Sequence, residues 1–385
     1  MKVITDEKKI EQVLTRGVEN IYPSKEFLRK RLESGEQLSL YLGIDPTGPT
    51  LHLGHSIPMR KLTQFQALGH KIILLIGDFT AMIGDPTDKS ATRVKQTREQ
   101  VIENARLYQE QAGHFLKFDG KNPVELKYNS DWLGKMNFAD VLELEADFTH
   151  SQIIKRDMFQ KRIEEGKDIY MHELSYPMMQ GYDSVAMGVD GEIGGNDQTF
   201  NMLAGRDLMG KRQNKEKFVI AMKLLVDPTG KKMSKTEGNM VAFTDTASDA
   251  FGKIMSWPDT LMPLAYELCT DIDYTEGNPM ESKLKLAEEV VGSYWGREFA
   301  SKARENFTQT FSKGEVADDV KEVKETGTKL SNVLLAEGLI KSGADFRRLV
   351  DEGAIYRDGV KITSYTELDV PGVYKIGKHR FLKII

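Results

Sequence analysis

Cysteine is almost absent: Cys269 is the only one in 385 residues. That excludes an internal disulfide framework and a cysteine-rich zinc site, and it fits a reducing compartment. No apolar run approaches the length of about 20 residues needed to span a bilayer. The stretch Met1 to Glu19 is charged and lacks an apolar signal core, so the expected location is the cytoplasm, with no membrane partner. Neither sign of charge dominates, since 53 Lys and Arg stand against 58 Asp and Glu for a net charge of -5. Any contact with nucleic acid must therefore come from local patches. Internal repeats and low-complexity tracts are missing. Missing too are a Gly-x-x-x-x-Gly-Lys-Ser/Thr loop and a Gly-x-Gly-x-x-Gly fingerprint, which argues against those two nucleotide folds. No dedicated metal cage is evident.

What is present is an ordinary globular composition, 40% hydrophobic and 29% charged, with length for roughly two or three domains. Up to about Met240, short apolar runs alternate with helical patterns, as in an α/β parallel sheet. Strands are expected at Leu38–Ile44, Lys71–Gly77, Val124–Tyr128, Gly191–Gly194 and Phe218–Leu225. Between the first two lies a helix with Leu62, Phe65 and Leu68 on one side, ended by Gly69. Another starts at Thr97, where Thr97 and Gln100 form a capping-box pattern. From Ala242 to about Phe311 helical patterns replace strand signals. Ser312 to Thr328 is charged and reads as a linker. Ser331 to Ile385 combines two helical patterns with short strands, turning at Asp358-Gly359 and Pro371-Gly372. This module carries nine Lys and Arg against seven Asp and Glu. The expected division is thus 1–240, 241–328 and 329–385.

Two short motifs suggest one nucleotide site. His52-Leu53-Gly54-His55 follows the first apolar run and opens an amphipathic stretch. In an open parallel sheet, ligands bind beyond the carboxyl ends of strands. Unpaired N–H groups at a helix start favour phosphate. Gly54 would let a flat purine or ribose approach the backbone, and imidazoles can donate to phosphoryl oxygens. The alternative is a pair of partly exposed histidines near a turn. Lys232-Met233-Ser234-Lys235-Thr236 follows the last run, on a loop framed by Gly230 and Gly238. Its lysines could close over phosphates and stabilise developing charge; the alternative is a solvated lysine-rich loop. Neither bland reading accounts well for both motifs ending strands in one α/β domain.

The pair resembles the two signatures of class I aminoacyl-tRNA synthetases, normally His-Ile-Gly-His and Lys-Met-Ser-Lys-Ser. Leu53 and Thr236 are mild departures, and Thr236 keeps the hydroxyl. The resemblance implies a Rossmann-like parallel-sheet catalytic domain, ATP as substrate and Mg²⁺ accompanying it.

Further along, Tyr176, Gln180 and Asp183 are spaced to share one helix face. This polar stripe between apolar neighbours suggests a lined pocket, with a solvent face as the alternative. Asp183 could accept from a phenolic hydroxyl, and Tyr41 could donate to that hydroxyl or accept from it. Such a site rejects phenylalanine because its polar groups would be left unpaired; tyrosyl-tRNA synthetases are themselves the standing illustration of this effect.

The chain is similar to the bacterial tyrosyl-tRNA synthetase pattern in five places. They are Tyr41 to Thr47, Gly77 to Pro86, Asn129-Ser130-Asp131-Trp132, the Tyr176 to Asp183 helix and Gly194-Gly195-Asn196-Asp197-Gln198. The resemblance implies that Tyr41 and Asp183 bind the phenol hydroxyl of L-tyrosine, while Thr80, Asp85, Tyr176 and Gln180 hold its α-amino group. Asp45, Asp197 and Gln198 would contact the adenylate ribose or the amino-acid end, and Gln198 counts with the tyrosine site. Thr47, His52, Gly54, His55, Lys232 and Lys235 would bind ATP. Lys89 and Arg93 match a loop that meets pyrophosphate, and with His52, His55, Lys232, Lys235 and Thr236 they make up the expected catalytic set. On its own that loop reads as a solvated charged turn.

The middle segment matches the position of an anticodon-recognition domain; a structural helical domain is the alternative. The last module resembles the S-four-like RNA-binding domain, through Ser331 to Leu335, Ala344 to Val350 and Gly353 to Lys361. Arg347, Arg348, Arg357 and Lys361 would then contact phosphates of tRNA(Tyr), ordinary surface charge being the other reading. The resemblance also implies a homodimer. A tryptophanyl enzyme would have no need of the Tyr41–Asp183 phenol pair. A non-catalytic RNA-binding paralogue would be expected to lack part of one signature, and both are intact.

Overall fold

The structure is a computed structural model that describes residues 2–85, 96–226, 240–312, 322–358, 360–377 and 380–385. The chain forms two compact units, Met1–Asp245 with Trp257–Leu286, and Thr246–Ser256 with Ala287–Ile385.

In the first unit the apolar runs become the strands of one sheet: β1 (Val18–Tyr22), β2 (Ser39–Ile44), β3 (Lys71–Ile76), β4 (Glu125–Tyr128), β5 (Gly191–Gly195) and β6 (Phe218–Met222). Their order is β1-β6-β5-β2-β3-β4. Neighbours from β6 to β4 run parallel, with Tyr41 of β2 opposite Ile73 on one side and Glu192 on the other. Strands covered on both faces read as continuous apolar runs, and Leu40, Leu42, Ile72 to Ile76, Ile193 and Val219 to Ala221 are all buried. The sheet is not wholly parallel, however. β1 adds an antiparallel edge to β6; none of its residues is fully buried, and the exposed Glu19 and Asn20 interrupt any apolar run. The last strand also stops at Met222, short of the expected Leu225.

After β2 the chain builds β3 and β4 on one side, then crosses to build β5 and β6 on the other. Strand order therefore reverses between β2 and β5. A crevice for a ligand opens beyond their carboxyl ends at such a point. The helix Leu53–Ala67 follows β2, and Gly69, at φ +94°, ends it. The capping box of Thr97 and Gln100 forms as expected and opens the helix Arg98–Ala105; a second helix, Tyr108–Ala112, follows.

The second unit has helices Ala247–Met255 and Arg297–Ser312, with Phe251 and Phe307 rings 5.5 Å apart. It also contains helices Leu330–Ala336 and Gly343–Asp351 and a second sheet. The strands are β7 (Glu322–Val323), β8 (Ile355–Arg357), β9 (Val360–Lys361), β10 (Gly372–Ile376) and β11 (Arg380–Ile384), in the order β7-β11-β10-β8-β9. Leu330, Leu334, Phe346, Tyr374, Ile376 and Leu382 form part of its core. Within 312–328, read as linker, Glu322 and Val323 instead form a strand, since they pair with Lys383 and Ile384; residues 313–321 lie outside the described residues. Two residues are too few for a period to register. Asp358 turns with φ 48°; Gly359 lies outside the described residues.

Under the large sheet, Phe65 stacks near Phe218 at 6.3 Å and His70 at 5.7 Å. His70 is buried and its Nδ1 accepts from the Leu38 N–H at 3.2 Å. Burial pushes its pKa down from 6.5 to about 4, against the smaller opposing effect of Asp190. An imidazole depressed on folding binds its proton more weakly in the native state. Stability is thus complete above the unfolded value and is lost as pH falls toward the folded one, by about 3 kcal/mol in all. His70→Asn should keep an acceptor for Leu38 and remove the titration. Its urea midpoint should change less between about pH 7 and about pH 5 than that of the unsubstituted protein. An equal change in both would assign the acid sensitivity elsewhere.

Candidate active site

The loops that leave β2, β3 and β4 meet through one chain of hydrogen bonds. Asp45, just past β2, accepts from the Thr80 hydroxyl at 2.7 Å and from the Tyr176 hydroxyl at 2.9 Å. Asn129, just past β4, donates to Thr80 Oγ1 at 3.0 Å and to Asp183 Oδ2 at 3.3 Å. Its own carbonyl accepts from the Phe79 N–H at 2.9 Å, so both ends of the amide are fixed. Trp132 Nε1 completes the set by donating to Asp183 Oδ1 at 2.7 Å. The turn after β3 needs a glycine here. A Cβ on Gly77 would stand 2.0 Å from Asp45 Oδ1 and 2.5 Å from Thr80 Oγ1.

Opposite these loops runs the helix Met171–Met187. Tyr176, Gln180 and Asp183 do share its inner face. Asp183 is 3% exposed. Burial raises its pKa well above the carboxylate value; the Trp132 and Asn129 bonds oppose this, and the charges of Glu192 and Asp45 add to it. A carboxyl group has acceptor lone pairs to spare in either protonation state, about four sites when ionised, so two donors leave Asp183 able to accept another. Tyr41 is fully buried. Its hydroxyl lies 3.0 Å from Ser184 Oγ, the neighbour of Asp183, and not on Asp183 itself. Gln180 donates to Glu192 Oε1 at 3.0 Å. Past β5, Gln198 donates to Asp85 Oδ2 at 2.6 Å and accepts from Asn201 at 2.9 Å. Asp197 lies beside Gly195, whose Cβ would meet Asp197 Oδ1 at 2.5 Å. Thr47 is exposed on the turn after Asp45, with its N–H 2.8 Å from the Asp45 carbonyl.

The histidine motif caps a helix. His52 is the N-cap of Leu53–Ala67, and its Nδ1 accepts from the Gly54 N–H at 3.1 Å. His55 Nδ1 accepts in turn from the His52 N–H at 3.1 Å, and the two rings are 3.9 Å apart. With each Nδ1 an acceptor, the proton of each neutral ring sits on Nε2, which becomes the donor. The segment just after the second motif lies along this one. Leu53 N–H donates to the Val241 carbonyl at 3.0 Å, Phe243 N–H donates to the Leu51 carbonyl at 3.0 Å, and His52 bridges Ala242. Lys232, Lys235 and Thr236, with Gly230 and Gly238, lie outside the described residues, as do Lys89 and Arg93.

In the second unit, Arg348 is paired with Asp345 at 2.7 Å and Glu352 at 2.9 Å, and Arg357 with Glu367 at 3.3 Å. Arg347 and Lys361 are exposed. Among the described residues, no group of three His, Cys, Asp or Glu is placed to hold a metal ion, and no helix is long and apolar enough to cross a membrane.

Sequence reasoning assigned no role to Asn129, Trp132, Ser184, Glu192 or Lys217. Asn129 and Trp132 had a visible signal, polar groups just past a strand end. Lys217 had none, because a lysine before an apolar run reads as a strand flank.

The profile of the family described as tRNA synthetases class I (W and Y) matches residues 33–323. The tyrosine–tRNA ligase of Carboxydothermus hydrogenoformans is 41% identical over 97% of this chain and 97% of its own. That of Thermotoga maritima is 39% identical over 99% and 98%. Among solved structures, a C-terminally truncated mitochondrial tyrosyl-tRNA synthetase of Aspergillus nidulans shares the fold with a TM-score of 0.66 at 19% identity, over 80% of this chain and 95% of that one. The Archaeoglobus fulgidus enzyme, solved with L-tyrosine, gives 0.61 at 21% identity, over 77% and 99%. With a profile over most of its length and bacterial relatives at about two-fifths identity from end to end, the chain belongs to the class I tRNA synthetases, in the tyrosyl-tRNA synthetase family.

Proposed function

We propose that this chain is a tyrosine–tRNA ligase that activates L-tyrosine with ATP and transfers it to tRNA(Tyr). The observation that carries the reading to tyrosine is Asp183, a buried carboxylate held by Trp132 and Asn129 with capacity for one more donor. A phenol hydroxyl supplies that donor; a phenylalanine ring leaves the carboxylate short of it. In this reading Tyr41 and Asp183 take the phenol, and Thr80, Asp85, Tyr176 and Gln180 take the α-amino group. Asp45, Asp197 and Gln198 serve the ribose or the amino-acid end. Thr47, His52, Gly54 and His55 serve ATP.

The tyrosine carboxylate attacks the α-phosphorus, the bond to the bridging oxygen breaks and pyrophosphate leaves. A carboxylate needs no activation for this, so the protein contributes position and charge stabilisation. The Nε2–H donors of His52 and His55 suit phosphoryl oxygens on which charge builds. Lys232, Lys235 and Thr236, with Lys89 and Arg93, are assigned to the same phosphates, and Mg²⁺ travels with ATP. A terminal ribose hydroxyl of the tRNA then attacks the activated carbonyl, and AMP departs.

The proposal extends to the rest of the chain. It divides into a catalytic part at 1–240, a helical anticodon-recognition part from 241 and an S-four-like RNA-binding part at 329–385, to whose sheet the strand Glu322–Val323 adds. In the last, Arg347, Arg348, Arg357 and Lys361 meet tRNA phosphates. The protein acts in the cytoplasm as a homodimer. Large exposed apolar side chains, Phe138 and Leu142 on one helix and Tyr170 and Met171 at the start of another, support a surface that a second copy covers.

Exchange of pyrophosphate into ATP should require tyrosine; exchange with tryptophan and not tyrosine would sink the assignment. Asp183→Ala should reduce the tyrosine-to-phenylalanine preference, and an unchanged preference would remove Asp183 from the phenol site. His52→Ala should slow adenylate formation by roughly 10²-fold with a much smaller change in tyrosine KM; a loss confined to tyrosine KM would contradict its place at the phosphates. Arg348 is tied to two carboxylates, so Arg347 and Lys361 are the better probes of the RNA surface. Replacing both by Ala should lower the slope of log Kd for tRNA against log salt by roughly one per residue, and exchange should persist. An unchanged slope would count against that surface.

A further inference from the structure

A buried ammonium stands behind the face formed by Tyr176, Gln180 and Asp183. Lys217 immediately precedes β6 and is fully buried. Its Nζ donates to Ser184 Oγ at 2.7 Å, to the Glu192 carboxylate and to the Met202 carbonyl at 3.2 Å. An ammonium has three N–H donors and no acceptor, so these bonds use it completely and leave none for a ligand. The groups it holds, in contrast, connect to the site. Ser184 Oγ is 3.0 Å from the Tyr41 hydroxyl. The other Glu192 oxygen accepts from Gln180 Nε2 at 3.0 Å. Lys217 Nζ also sits 5.6 Å from the centroid of the Tyr41 ring, within reach of a cation–π attraction.

The neighbouring helix, Thr199–Gln213, makes room for this arrangement. A Cβ on Gly205 would lie 2.7 Å from Lys217 Nζ and 2.9 Å from Ser184 Oγ. The space in which ammonium and hydroxyl meet exists because residue 205 has no side chain.

We propose that Lys217 is a positioning residue for tyrosine selection, orienting Tyr41 through Ser184 and Gln180 through Glu192. This rests on the reading that Tyr41 and Gln180 meet the substrate tyrosine. Removing one partner of a buried ion pair leaves the other charged and short of donors. Glu192, which Gln180 Nε2 already meets at 3.0 Å, would then carry an uncompensated charge that pulls the Gln180 amide and the nearby Tyr41 hydroxyl out of their set orientation and away from the substrate. Lys217 prevents this by satisfying Glu192 from behind.

The test uses pyrophosphate exchange by the full chain with three variants: Lys217→Gln, Ser184→Ala and the double Lys217→Gln/Glu192→Gln. Absence of tyrosine-dependent exchange in the unsubstituted protein would defeat the functional reading itself. Given that exchange, Lys217→Gln should raise tyrosine KM by about tenfold or more, with ATP KM changed by no more than about twofold. The double variant should recover most of the loss, since two amides can pair without charge. Ser184→Ala leaves the ion pair intact and should raise tyrosine KM alone; if Lys217→Gln does not fold, this variant decides. Unchanged tyrosine KM in the folded single variants, a joint rise in tyrosine and ATP KM, or a double variant as poor as Lys217→Gln would each overturn the inference.

Discussion

Burying Asp183 imposes an obligation that shapes much of the large unit. A carboxylate out of water is costly unless donors reach it. Here they come from two residues past β4, the Asn129 amide and the Trp132 indole. Asn129 can serve only because its carbonyl is held by Phe79 and its amide also reaches Thr80. Thr80 in turn donates to Asp45, which receives Tyr176 on its other oxygen. Three strand ends and one helix are thereby tied to a single requirement, and the crevice between β2 and β5 acquires rigid walls. Networks of this kind hold a unique arrangement only when every member is satisfied.

The same layer is rich in negative charge. Burial first, and then the nearby carboxylates, keep Tyr41 and Tyr176 well above the ordinary phenol range. Both are therefore hydroxyl groups at neutral pH, able to donate as well as accept. Lys217 answers Glu192 at one end of this layer. At the other end, the Arg156 guanidinium packs on Phe200 at 4.9 Å; burial lowers its pKa, and the charge of Asp85 opposes this. In the proposed reading, an arriving α-ammonium finds carboxylates already fixed in place, so little reorganisation is needed to receive it.

Much of the architecture was legible because its physics is local or periodic. Doubly covered strands read as apolar runs, and Gly69 and the Thr97–Gln100 box marked helix ends by their backbone chemistry. The spacing of Tyr176, Gln180 and Asp183 placed them on one face. What spacing could not convey is which atom meets which. Tyr41 turned to Ser184, and both Asp183 oxygens went to groups past β4, because those partnerships depend on how distant strands line up. β1 was illegible because a half-exposed edge strand carries no apolar run, and β7 because it has only two residues. Lys217 was hidden since its burial depends on a missing side chain in a different helix, at Gly205.

The bridge between His52 and Ala242 carries a consequence for how the protein is made. It joins backbone about 190 residues apart in sequence, and contacts of such long range form only after the intervening chain is in place. A ribosome-bound chain that ends before Val241 lacks the carbonyl that holds Leu53 and the residue that bridges His52. The histidine cap thus gains its last supports only once Val241 and Ala242 have been added to the chain. Unfinished translation products carry the histidines without the segment that steadies them.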